Sequence, residues 1–215
     1  MGRRGSIDRQ LKGTDSLASP VGHALVGLAV GRLCGGAVRK PGLGWYAFAA
    51  FAANAPDLDF LPGILIDTPF AFHRGLSHSL LAAVIFGATI LLLTRHRLER
   101  PWAVAGAATA GYASHLLLDM PHIPVLWPMS FDVPTQFWPS LSLSLPWSHN
   151  GGLTDFLGIM FSSGFAYVAL IETAVFLPVV IVAWLVPQWR DAQSIAEDTL
   201  GADFGTDTAA TRSIV

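Results

Sequence analysis

His73-Arg74-Gly75-Leu76-Ser77-His78-Ser79 brings two imidazoles, a guanidinium and two hydroxyls into consecutive residues of a 215-residue chain that is only 13% charged. Neutral imidazoles are metal ligands, and a guanidinium beside a metal forks onto an anionic substrate, above all a phosphate. Two further stretches carry matching chemistry. Pro56-Asp57-Leu58-Asp59 offers two carboxylates, hard donors that lower the charge of a site and can bridge two ions. His115-Leu116-Leu117-Leu118-Asp119 sets an imidazole and a carboxylate four residues apart on one helical face, with the leucines free to pack elsewhere. The single cysteine, Cys34, excludes a disulfide framework and a thiolate metal site. Any ion must therefore be held by histidine and carboxylate.

The elements that must position these residues are apolar helices. The chain is 52% hydrophobic, holds 21 glycines, and has a net charge of −2 that gives no reason to expect nucleic acid as a partner. The expected fold class is all-α, a multi-pass transmembrane helical bundle of about five helices. The first runs from Pro20 to Val38, a retained helix rather than a cleaved signal peptide. A second, short for a span, covers Leu43 to Ala53, and a third begins at Ser77 or His78 and ends at Thr94. The fourth, rich in alanine and glycine, covers Pro101 to Asp119, and the fifth Phe165 to Val186. Residues 1–18 are expected to form a polar basic tail and 19–189 the membrane-embedded domain, with 120–163 as an interfacial loop rich in proline and tryptophan. Residues 190–215 are an acidic tail expected to be disordered, with five acids against one base from Asp191 onward.

Helices of alternating direction would deliver His23, Asp57, Asp59, His73, His78, His115 and Asp119 to one membrane face, and the arginines and lysines to the other. Ionisable groups within or beside apolar segments are costly and by default mark function. These seven are the candidate ligands of one or two divalent ions. Asp57 is expected to bind directly, Asp59 to support a ligand or serve a second ion, and one or both of His73 and His78 to ligate. Arg74 is the candidate for holding an anionic substrate. Ser77 and Ser79 read as helix caps, and Glu172 as a hydrogen-bonding group within the bundle. His122 and His149 fall in the long loop, outside the core set.

The order of these motifs resembles the membrane-bound metal-dependent hydrolase family, LexA-regulated and YdjM-like, over about residues 20–130. The same order is distantly similar to the all-α zinc-dependent phospholipase C fold. That similarity implies a zinc held by Asp57, His73 or His78, His115 and Asp119, with Asp119 bridging to a second zinc bound by His23. It also implies Asp57 as general base. The phospholipase pattern continues with a His-x3-Glu, which this sequence lacks.

The expectation that follows is a membrane-bound metal-dependent hydrolase with a zinc-phospholipase-C-like site at one membrane face. Metal-activated water would cleave a phosphoester of a lipid or another membrane-associated substrate. The rivals are a metal or proton transporter, with its site near the bilayer middle, and a non-catalytic membrane protein with a structural metal. A type-2 phosphatidic acid phosphatase is excluded, because the Pro-Ser-Gly-His stretch it needs is absent. The expected location is the plasma or inner membrane. Basic turns at Arg39-Lys40 and Arg95–Arg100 lie opposite the site, which by the positive-inside rule places it on the external face.

Overall fold

The computed structural model describes residues 18–38, 41–120, 123–129 and 152–185. Among them are seven α-helices and three short 3-10 turns, with no strand. Helix α1 is Pro20–Leu33, α2 Leu43–Asn54, α3 Phe60–Leu65, α4 Leu80–Thr94, α5 Pro101–Asp119, α6 Leu153–Met160 and α7 Ser163–Leu185. The expected tails, the Arg39-Lys40 turn, His122, His149 and most of the 120–163 loop lie outside the described residues.

Local chemistry sets the boundaries. Ser19 caps α1, accepting from the Val21 amide at 3.2 Å, and Pro20 takes the first-turn position where a missing N–H costs nothing. The helix stops at Leu33 rather than running to Val38. Gly35 and Gly36 carry the poorest helix propensity of any residue but proline, and the chain tightens there into a 3-10 turn over Gly35–Ala37. Helix α4 begins at Leu80, later than expected, because the Ser79 hydroxyl caps it by accepting from the Ala82 amide at 3.1 Å. Ser77 and His78 belong instead to the preceding 3-10 turn. Pro62-Gly63, read from sequence as a loop signal, sits inside α3. Pro62 falls in the first turn, and a Cβ on Gly63 would press within 2.5 Å of the Thr68 carbonyl that folds back against it. Helix α6 is a short amphipathic piece of the kind the 120–163 interfacial stretch leaves room for, seated through Phe156 against Phe60 and Phe70.

Helix α1 packs against α2, α5 and α7, while α5 also packs against α2 and α4. The core between them is made of small residues, with Ala49, Ala52, Ala53 and Ala108 buried. A Cβ on Gly27 would meet the Ala49 carbonyl and the Ala53 Cβ at 2.7 Å, and one on Gly31 would meet the Ala49 Cβ at 2.5 Å. Glycine therefore lets α1 and α2 touch backbone to backbone, the device by which helices associate where lipid removes the hydrophobic drive between them. Large apolar side chains point outward instead: Leu43, Val84, Leu93, Phe161, Leu170 and Leu185 are all exposed.

Only α7, 23 residues long, is long and apolar enough to cross a membrane by itself among the described residues. Helices α1 and α4 are apolar but shorter. Two contacts fix how α7 lies beside α1. The buried Glu172 carboxylate accepts from the Ser19 amide at 2.7 Å and from the Ser19 hydroxyl, and Arg32 donates to the Trp184 carbonyl at 3.4 Å. The two helices thus run parallel, with Ser19 level with Glu172 and Arg32 level with Trp184.

Candidate metal centre

His78 and His115 aim their Nε2 atoms at each other across 3.1 Å, both side chains fully buried. The Nδ1 of His115 lies 2.9 Å from the Ala53 carbonyl, which can only accept, so that nitrogen carries the proton. The Nδ1 of His78 faces Asp59 Oδ2 at 3.3 Å and the Ser77 hydroxyl at 3.0 Å. A neutral His78 that donates there leaves two Nε2 lone pairs converging on one point. Asp57 Oδ1 lies 3.5 Å from His115 Nε2 and 3.7 Å from His78 Nε2. Asp119 Oδ2 lies 3.6 Å from each of the same two nitrogens. These are five of the six edges of a tetrahedron.

Zinc–nitrogen and zinc–oxygen bonds of 2.0–2.2 Å imply tetrahedral edges of about 3.3–3.6 Å, against 3.1–3.7 Å here. An octahedral magnesium site would bring neighbouring ligands to about 3 Å and would favour oxygen donors throughout. The donor set of two imidazoles and two carboxylates, with each imidazole's far nitrogen held by an acceptor, is the arrangement that suits zinc. Unpartnered atoms support the fit. Both carboxylate oxygens of Asp119 and both ring nitrogens of His23 are buried without a hydrogen bond among the described residues, and so is Nε2 of His73.

A half-site adjoins this one. His23 stacks on His115, ring centroids 3.7 Å apart, and its Nε2 lies 3.3 Å from Asp119 Oδ1. Asp119 therefore presents one oxygen to the four-donor set and the other to His23. His23, His115 and Asp119 form one potential metal group, and Asp57, His73 and His78 another, with donor atoms within 4.8 Å of one another in each. In the second group His73 stands further out. Its Nδ1 is 3.1 Å from Asp59 Oδ1 but 3.9 Å from Asp57 Oδ1, and its ring stacks on Phe60 at 4.0 Å. Asp59 likewise lies outside the four, its oxygens turned to His73, to His78 Nδ1 and to the Ser77 hydroxyl at 2.6 Å. The structure thus brings all seven predicted residues into one cluster, in two layers.

The charge states follow from these contacts. Burial works against charge on Asp59, but hydrogen bonds from His73, His78 and Ser77 outweigh it and hold the carboxyl far below its usual range. Asp57 is likewise lowered, burial being overcome by His78 and the neighbouring imidazoles. For His78 burial opposes the charged form, yet the Asp57 and Asp59 carboxylates prevail and push it up to about 9.

Arg74 follows His73 with left-handed backbone, φ 61°, a conformation that costs a non-glycine residue about 1 kcal/mol or more and clusters at functional sites. The sequence reading missed three supports. The Ala53 carbonyl is backbone and leaves no residue-type signal. Ser77 holds Asp59 rather than capping a helix, and Tyr112 donates to the Ser77 carbonyl at 2.6 Å, pinning the turn to α5. The spacing of Tyr112 and His115, three apart on one helix, was the available clue to the last.

Depth is fixed by α7. His23 lies one turn beyond Ser19, and Gly22 faces Glu172 and Phe176, so the cluster sits near the middle of α7 rather than at its end. The fold and its cluster define a class: among the described residues, an all-helical bundle with one membrane-length helix and a buried histidine–aspartate cluster. The family profile of the YdjM inner membrane protein matches residues 19–194, and the chain belongs to that family. No curated protein and no solved structure matches.

Proposed function

We propose that the protein is a multi-pass membrane hydrolase that holds zinc and cleaves a phosphoester of a lipid or other membrane-associated substrate. The reading rests on one observation, the near-tetrahedral convergence of His78, His115, Asp57 and Asp119 on one point, where both buried oxygens of Asp119 lack a hydrogen bond among the described residues. A zinc ion bound there supplies Lewis-acid polarisation of a phosphoryl oxygen and lowers the pKa of a coordinated water.

The remaining work belongs to the chain. His78, His115, Asp57 and Asp119 would hold the ion, and one of these four would also have to serve the attacking water. Asp57 is the donor fitted for this: its side chain is 17% exposed, against 1% or less for the other three. It also lies on a 3-10 turn rather than a long helix. Its carboxylate would accept the proton of the attacking water. Arg74, beside His73, supplies a forked cation for the phosphoryl oxygens. Asp59 keeps His78 oriented by accepting at Nδ1. Arg95, Arg97 and Arg100 lie at the opposite end of the bundle, which on the positive-inside rule puts the centre toward the external side of the inner membrane.

The test is zinc per chain in purified protein, measured with hydrolysis of lipid phosphoesters. Asp119→Ala is expected to lose the metal and the activity together. Asp57→Ala is expected to keep most of the metal and lose the activity. Metal retained in Asp119→Ala would refute the ligand assignment, and metal without hydrolysis of any phosphoester tried would leave a structural centre. Metal or proton translocation is the second reading, favoured by the level of the cluster at mid-height of α7 and by the 3-10 turns that follow α2 and precede α4 there. Proteoliposomes distinguish it: a transporter moves zinc or acidifies the lumen without consuming substrate.

A further inference from the structure

A cavity of about 550 Å3 lies at the end of the bundle remote from the metal centre. It opens between the start of α2, the end of α4 and the first turn of α5, and Gly44, Trp45, Phe48, Ile90, Leu93 and Val104 line most of it. The walls are mostly apolar, and the volume is in the range of pockets that enclose a small molecule. Nothing in the metal chemistry uses this space.

Its rim is charged. Thr94 and Leu98 border the cavity, and the chain that joins and follows them carries Arg95, Arg97 and Arg100 against a single acid, Glu99. All three arginines are exposed, and Arg100 turns one guanidinium nitrogen to the Gly36 carbonyl at 3.3 Å, holding it at this end. Trp102 is 76% exposed and Leu43 87% exposed on the same end, an indole and an aliphatic chain at the level where polar and apolar solvent meet. An apolar slot beneath a cluster of guanidinium groups complements one kind of molecule, with a hydrocarbon tail and an anionic head. A basic pocket between helices at the cytoplasmic side is a recurrent site for acidic lipid headgroups.

We propose that this cavity binds one acyl chain of an anionic phospholipid of the cytoplasmic leaflet, with the phosphate held by the rim of Arg95, Arg97 and Arg100. The site is separate from the metal centre and holds whether or not that centre is catalytic. Gly44 gives a direct probe, because a Cβ added there meets nothing within 4 Å and a larger side chain grows into open space.

The experiment is native mass spectrometry of the full chain in detergent, titrated separately with phosphatidylglycerol and phosphatidylcholine. Wild type is expected to bind one phosphatidylglycerol at least tenfold more tightly than phosphatidylcholine. Gly44→Leu should weaken both by tenfold or more, while Gly44→Ala, too small to fill the slot, should bind like wild type. Joint replacement of the three arginines by glutamine should bring phosphatidylglycerol down to the level of phosphatidylcholine without abolishing binding. Equal affinity of wild type for the two lipids, or unchanged binding by Gly44→Leu, overturns the proposal. Should Gly44→Leu fail to fold, Gly42→Leu, which also faces open space, takes its place.

Discussion

Gly27→Ala is the most informative single change, because one methyl group would act on both halves of the centre. The added Cβ meets the Ala49 carbonyl and the Ala53 Cβ at 2.7 Å and the Ala50 Cα at 3.0 Å. Each main contact is about 0.8 Å short of the ~3.5 Å at which carbon atoms rest. The neighbours include backbone atoms of α2, so no side chain can swing aside, and α1 and α2 must separate. Gly27 stands one turn after His23 on the same face of α1, so His23 retreats from Asp119 with it. Ala53, pushed from the other side, carries the carbonyl that orients His115. Overpacking of this kind costs about 1–3 kcal/mol, and metal geometry tolerates displacements of only about 0.5 Å. The expected outcome is a lower melting temperature and a zinc affinity reduced at least tenfold, read by competition with a fluorescent chelator. Gly106→Ala, on an exposed position with open space around it, serves as the control and should be neutral or slightly stabilising. Wild-type zinc affinity in Gly27→Ala would show that the centre does not depend on the close approach of α1 and α2.

Asp59→Asn should retain zinc but bind it roughly 10–100-fold more weakly, as expected when an outer partner of a ligating histidine is removed; isothermal titration checks this. Zinc uptake must displace the proton on His78, so apparent affinity should rise up to about tenfold per pH unit until pH approaches 9. The same proton makes metal-free stability run the other way. The folded-state value of His78 lies above its unfolded value of ~6.5, so its contribution is complete below that pH and disappears as pH rises through 9. Thermal melts of chelator-treated protein at pH 6.5 and 9.5 should show the higher midpoint at the lower pH, and the reverse order would contradict the assignment. Glu172→Leu strips the partner from the Ser19 amide and hydroxyl, and should destabilise the protein by about 1–3 kcal/mol in a denaturant or thermal series.

The cluster was legible in the sequence because its residues are rare in their setting. Imidazoles and carboxylates at the edges of apolar runs announce themselves, and the His115–Asp119 spacing already placed two donors on one face. Fine structure was hidden where backbone decides it. Nothing in the letters says that the Ala53 carbonyl orients His115, or that His78 rather than His73 enters the inner set, since both lie in one flexible-looking turn. Helix ends were misjudged where small residues compete. Gly35-Gly36 ended α1 early despite apolar neighbours, and Ser79 outcompeted Ser77 as a cap because Asp59 had already claimed the Ser77 hydroxyl. Helix α3 was invisible because proline and glycine, taken as loop markers, both fit its six residues.

Helices α1, α2 and α4 hold 14, 12 and 15 residues, which at 1.5 Å per residue is about 18–23 Å of length, short of a hydrocarbon core of about 30 Å. The 19 residues of α5 and the 23 of α7 reach further, about 29–35 Å. In a bilayer, short helices standing beside long ones would favour lipids that shorten, tilt or dip along the side where the short helices end. Such a dip would bring headgroups down toward a cluster set at mid-height of α7.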